Sequence, residues 1–183
     1  MRWILIVAGS LAIIVAIIAL VGAALPRDHV AAMAARIPAA PESVWAALTT
    51  PAGFPAWRSD VQRVELLSAT ATGPSWREHG RNGAITYVIE SAEPPRRLVS
   101  RIADRGLPFG GSWEYRIEPE GATASRVTIV ERGAVYNPIF RFVSRFIIGH
   151  TKTIETYLRA LAKRFGGDTL PATVVTTGAS HGI

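Results

Sequence analysis

The sequence predicts an α+β domain, an antiparallel sheet with a long carboxy-terminal helix, behind an apolar amino-terminal helix. Three observations predict it. Residues 3–25, WILIVAGSLAIIVAIIALVGAAL, carry no charge, and Ser10 is their single polar side chain. Six segments between 61 and 133 read as strands joined by short turns, with no helical pattern between them, which fits antiparallel neighbours and leaves no room for parallel crossovers. From Ile139 to Phe165, apolar residues recur every three or four positions, the spacing of one helix face.

Taken in order, the apolar run makes a helix of roughly 35 Å at ~1.5 Å per residue, enough to cross a ~30 Å hydrocarbon layer with some tilt. Secretion signals have shorter apolar cores of about 7–15 residues, so an uncleaved single-pass anchor is expected. A cleaved signal is the alternative, because Gly22, Ala23 and Ala24 suit a peptidase site. Arg2 on one flank and Arg27 beside Asp28 on the other leave the orientation nearly balanced, with a lean towards a domain outside the cytoplasm. Pro26 ends the helix, and HVAAMAARIPA (29–39) reads as the first strand. APESVWAALTT (40–50) reads as a short helix with Pro41 early, Glu42 at its positive end, and Val44, Trp45 and Leu48 on one face. PAGFPAWRSD (51–60) is a second, broken helical turn. Strands are expected at 61–69, 75–81, 84–91, 97–104, 111–119 and 125–133, punctuated by TGP, RNG, EPPR, GLPFGG and EGA. The last helix is expected from about Pro138 to Phe165, ending at Gly166-Gly167. Arg141, Arg145 and Lys152 keep its apolar run too short for a second membrane span. The chain thus divides into an anchor (1–26), a folded domain (27–166) and a flexible tail (167–183) rich in Gly, Thr and Ala.

With 183 residues, 49% apolar and 19% charged, the chain can bury one sizeable core. The absence of cysteine excludes disulfides, thiolate metal sites and a cysteine nucleophile. Basic residues are 18 Arg and 2 Lys, spread along the chain for a net charge of +6. That dispersion argues against a nucleic-acid surface and fits a domain close to anionic headgroups. Histidines 29, 79, 150 and 181 lack metal-ligand spacing, there is no G-x-S-x-G elbow, and glycines 106, 110 and 111 precede a strand rather than a helix. No metal or cofactor is therefore expected.

One strand, two short helices, six antiparallel strands and a long helix follow an order that resembles the SRPBCC superfamily of START-like domains, including its polyketide cyclase/dehydrase and lipid transport group. The resemblance is carried by IPAAPESVWAALTTPAGFPAWRSDVQRVELL, EPPRRLVSRIAD, FGGSWEYRIEPEGATASRVTIVERG and NPIFRFVSRFIIGHTKTIETYLRALAKRF, over roughly residues 29–165. None of these motifs is specific to a reaction. The resemblance implies a helix-grip fold, in which a curved antiparallel sheet grips the long helix around an apolar cavity. It further implies a hydrophobic small molecule or lipid as partner, or alternatively cyclase/dehydratase-type catalysis on a hydrophobic substrate. A third possibility, given five tryptophans, is an interaction domain whose own side chains fill the core.

A ligand cavity needs apolar and aromatic walls with a few polar groups to orient the ligand. Candidate ligand contacts are Trp76, Tyr87, Trp113, Tyr115, Phe142, Phe146 and His150, with Trp45 and Trp57 as further wall residues; core packing is the alternative for each. His150 lies within the apolar stripe, where it is either an acid or base or a buried histidine satisfied by Thr151 or a backbone carbonyl. Glu131 shares a strand face with Val127 and Ile129. If it points inward it needs a partner, such as Arg101 or Arg132; otherwise it marks the exposed end of the strand. Trp76 and Glu78 share one face of their strand, Arg77 and His79 the other, and register decides which pair points inward. Phe140 and Ile148, off the main stripe, are expected to rim the cavity.

Overall fold

The computed structural model describes residues 2–70, 73–81 and 83–175, with Thr70 and Ile148 described for their backbone alone. Helix α1 (Arg2–Ala24) leads into β1 (Asp28–Ile37), helix α2 (Pro41–Thr49) and a 3-10 turn (Pro51–Ala56). Strands β2 (Val61–Thr70), β3 (Gly73–Gly80), β4 (Gly83–Glu93), β5 (Arg97–Ile102), β6 (Phe109–Pro119) and β7 (Ser125–Val135) follow. Each pairs antiparallel with the next, and β1 returns to pair with β7, so the meander is extended by the first strand. The result is the expected α+β architecture of a curved antiparallel sheet around a carboxy-terminal helix.

Strand alternation sends Met33, Ala35 and Ile37 of β1, Ile117 of β6, and Val127 and Ile129 of β7 to one face. That face meets helix α4 (Lys152–Arg164) through Ile154, Tyr157, Leu158 and Leu161, all of them buried. Leu158 has no exposed surface, and burying a leucine in this way stabilises by about 1.5–3 kcal/mol. Helix α2 begins as its sequence requires, with Pro41 in its first turn, and it buries Val44, Ala47 and Leu48.

The carboxy-terminal helix is two helices rather than one. Helix α3 (Pro138–Val143) runs into a π-helical turn (Ser144–Ile148), closed by the N–H of Gly149 donating to the Ser144 carbonyl at 3.0 Å. Gly149 then takes φ 78° and ψ 152°, a conformation open essentially to glycine, and α4 starts after it at Lys152. Apolar spacing continues across the break, but α4 buries its apolar face while Ile139, Phe146 and Ile147 of the first half stay exposed. Helix α3 packs mainly on α1, whereas α4 packs mainly on β1, and both touch β7. A tally of spacings cannot detect a change of partner.

The tail departs from expectation too. Ala172–Thr173 forms a short strand, β8, against Met33 and Ala34, and the N–H of Val174 donates to the Ala32 carbonyl at 3.0 Å. Residues 176–183, His181 among them, lie outside the described residues. Among the described residues, α1 is the one helix long and apolar enough to cross a bilayer.

Two substitutions test this division of labour in the full chain in mild detergent. Leu158→Ala should lower the unfolding free energy by about 2–5 kcal/mol through the cavity it leaves. Gly149→Ala should cost about 1–3 kcal/mol through backbone strain alone, and a neutral result in urea titration would refute the break at that residue.

Candidate functional site

The register of the sheet assembles the site. Residues directly opposed across an antiparallel pair share a face, and a line of such pairs crosses the inner surface. Glu78 and Trp76 lie on β3, with Tyr87 opposite Trp76, Ser100 opposite Trp113, and Trp113 opposite Glu131. Glu131 in turn faces Ala31, and the adjacent inward pair is Gly133 with His29. Trp76 and Glu78 therefore point inward, while Arg77 and His79 take the outer face, where His79 meets Arg63 and Glu65.

The aromatic candidates come together around Tyr157 of α4. Its ring lies 5.4 Å from Trp57, 5.5 Å from Trp113 and 5.8 Å from Tyr115, and Trp76 stacks on Tyr87 at 5.6 Å. Trp76 and Tyr115 are buried; Tyr87 and Trp113 are half-buried and packed against the core. Burial raises the pKa of the tyrosines, taking Tyr115 up to about 12 and Tyr157 well above its ordinary value. Their hydroxyls thus stay neutral.

Beneath these rings lies a charge. Arg58 is 9% exposed; its Nη1 donates to Glu78 Oε1 at 2.9 Å and its Nη2 to Asp60 Oδ2 at 2.6 Å. Trp76 Nε1 donates to the same Glu78 oxygen at 2.9 Å. The guanidinium carbon sits 5.3 Å from the Phe54 ring and 5.0 Å from the Tyr157 ring, within range of a cation–π contact. Burial alone would lower the pKa of Arg58, but the Glu78 charge and the Asp60 hydrogen bond outweigh it, so the guanidinium holds its proton more tightly than usual. With two carboxylates in contact it is a fixed, compensated charge inside the aromatic set.

A second polar group lies at the end of the sheet nearest α1. The His29 ring stacks on His150 with centroids 3.9 Å apart, His29 Nε2 is 3.3 Å from Glu131 Oε1, and Ser144 Oγ is 3.3 Å from His150 Nδ1. Gly133 makes this possible, since a side chain there would collide with the His29 ring. Glu131 is inward and partnered by His29, not by Arg101 or Arg132; Arg101 pairs with Glu90 instead. His150 is held by Ser144 and His29, not by Thr151. Burial, then the charges of His29 and Arg145, push its pKa below the ordinary histidine value, partly opposed by Glu131.

Phe142 and Phe146 do not join the aromatic set. They pack on each other at 4.9 Å in the segment beside α1, and Phe146 is 60% exposed. Phe140 is exposed on that same segment, and the side chain of Ile148 lies outside the described residues. Two open depressions lie elsewhere. One of about 350 Å³ runs between α2 and the end of α4, by Ser43, Thr50, Trp57 and Arg164. The other, of about 450 Å³, lies after β5, by Arg101, Asp104, Arg105 and Tyr136. Neither is lined by Trp76, Tyr87, Trp113 or Tyr115.

Residues 28–166 match the family described as polyketide cyclase/dehydrase and lipid transport. The chain belongs to this family. Among solved structures it is similar to a conserved protein from Geobacillus kaustophilus, at 13% identity and a TM-score of 0.64 over 78% of this chain and 99% of that one. It is likewise similar to a START superfamily protein from Mycobacterium smegmatis, at 15% identity and a TM-score of 0.62 over 75% of this chain and 97% of that one. The Zhui aromatase/cyclase from Streptomyces sp. R1128 aligns at 13% identity and a TM-score of 0.61, over 76% of this chain and 94% of that one. At such identities the likeness establishes the fold. A search of functionally curated proteins found no match.

For this family member, sequence reading missed Arg58, Tyr157, Ser144 and His29 as parts of the site. Arg58 had a signal, a charge set among aromatic and apolar residues in FPAWRSDV; Tyr157 had one too, a hydroxyl on the apolar helix stripe. His29 had none, because its role depends on facing Gly133 across more than a hundred residues of chain.

Glu78→Gln should destabilise the protein by about 3–5 kcal/mol, since it leaves a buried guanidinium short of countercharge. A stability change under about 1 kcal/mol would mean that Asp60 alone compensates Arg58. Because the folded protein holds His150 below its unfolded value near 6.5, the unfolded chain binds more protons in that window. Stability should be complete above it and fall as pH drops from about 7 to 5, and His150→Asn should flatten the slope in denaturation curves measured at both ends.

Proposed function

We propose that the chain is a single-span membrane protein, with residues 1–26 as anchor, 27–166 as a START-like ligand domain and 167–183 as a tail. Its domain takes a hydrophobic small molecule or lipid between the sheet and α4. The observation that carries this reading is a juxtaposition: Tyr87 and Trp113 are only partly buried over the core, and Trp113 lies opposite Glu131 of the His29–His150 group, next to where α1 joins β1. An apolar ligand reaching that end from a bilayer never needs to cross water. Trp113 and Tyr87 would contact its apolar body, while His150 and Glu131 supply polar groups at the rim.

A second reading, cyclase/dehydratase-type chemistry on a hydrophobic substrate, is favoured by that rim group. Glu131, His29, His150 and Ser144 form a connected set of proton acceptors and donors bordering Trp113. Such a set suits removal of a proton from carbon beside a carbonyl.

Native mass spectrometry of the full chain released from detergent, with lipid extraction in parallel, tests the proposal. Wild type should carry a ligand of defined mass at one copy per chain, and Trp113→Ala should lower its occupancy about tenfold, the effect of losing ~1.4 kcal/mol of contact. A bare protein mass from native membranes would count against ligand binding. Retained ligand that is chemically altered in wild type but not in His150→Ala or Glu131→Gln would favour the catalytic reading.

A further inference from the structure

Helix α1 is exposed along most of its length, but at its carboxy-terminal end Gly22 is buried and Ile18 and Ala19 are half-buried. These positions lie on one face, one turn apart, and the partner that covers them is α3. The approach is close enough that a side chain at Gly22 would collide with the backbone of Pro138. Arg141 locks the junction: it is 8% exposed, and its Nη1 donates to the Leu25 carbonyl at 2.8 Å and the Ala23 carbonyl at 3.4 Å. Those carbonyls are among the groups that a helix end leaves without a partner, and they would be costly to leave bare at a membrane boundary.

Depth follows from this contact. Ile18 to Ala24 spans roughly 9 Å of helix at ~1.5 Å per residue, so an element packed along that stretch sits level with the last turns of the anchor. The same element is unusually apolar on its outside. Tyr136 is 51% exposed, Ile139 40%, Phe140 48%, Phe146 60% and Ile147 70%. Together they continue the exposed apolar surface of α1 around the junction. Arg145, also exposed, is long enough to carry its charge out to headgroup level. An aromatic-rich, sparsely charged, short amphipathic segment of this kind suits the interfacial plane, not a crossing.

We propose that residues 136–147 are a second membrane contact, an interfacial element lying in the bilayer boundary beside the last turns of α1. The partner is the lipid bilayer itself. This rests on the reading of α1 as an anchor, and it adds that the domain is held against the membrane in a fixed orientation instead of swinging on a linker. The His29–His150 end of the sheet then faces the lipid surface.

The absence of native cysteine makes site-directed spin labelling clean. Full-length single-cysteine variants F140C and I147C, reconstituted in vesicles of phosphatidylcholine and phosphatidylglycerol, are compared with I13C inside the anchor and A122C in the distal β6–β7 turn. Collision with oxygen relative to a water-soluble nickel chelate should be severalfold higher at 140 and 147 than at 122, approaching the value at 13. An aqueous ratio at both positions with 13 still immersed would overturn the interfacial contact and leave the anchor intact. An aqueous ratio at 13 would remove the anchor and the contact together. Labels shielded from both reagents would mean a protein–protein contact instead of lipid, and would overturn the proposal as well.

Discussion

The interior of this domain is organised around a buried charge, Arg58, and the two carboxylates that compensate it. A guanidinium beneath a sheet is costly unless it is both paired and hydrogen-bonded. Meeting that requirement ties together parts of the chain that apolar packing would leave free to slide. Asp60 holds the exit of the 3-10 turn, Glu78 brings in β3, and Trp76 shares the Glu78 oxygen. Tyr157 then lies over the guanidinium and brings α4 into the same cluster. Aromatic rings that might otherwise be interchangeable core filler are thereby given fixed partners and edges.

A second constraint divides the carboxy-terminal segment. One stretch of chain has to cover both the concave face of the sheet and the end of α1, and no straight helix can do both. The break at Gly149 joins two short helices with different main partners, α1 for α3 and β1 for α4. His150 follows the break directly, and Ser144 opens the π-helical turn before it, so both polar members of the rim that come from this segment belong to the joint. The break in the helix also brings the His150 ring onto His29 of β1, with Ser144 beside it.

These two arrangements leave the domain polarised. One end of the sheet is sealed by aromatic packing over a compensated ion pair. The other, near α1, carries His29, His150 and Glu131. The guanidinium of Arg58, which holds its proton more tightly than usual, lies in the interior.

The sequence by itself determined the elements and the family. Strand alternation, the spacing of Ile154, Tyr157, Leu158 and Leu161, and the 23-residue apolar helix are local patterns, and local patterns record which face of each element must avoid water. The same alternation put Glu131 on the face of Val127 and Ile129 but left open whether it points inward or marks the exposed end of the strand. Only the tertiary structure decided which residues meet. That His29 rather than an arginine partners Glu131 depends on a register between β1 and β7, and on a glycine left empty to receive the ring. That the last helix is two helices depends on α3 packing against α1 while α4 packs against the sheet. Such outcomes arise from pairings across long stretches of chain, where the free energy belongs to the contact and is written in neither segment alone.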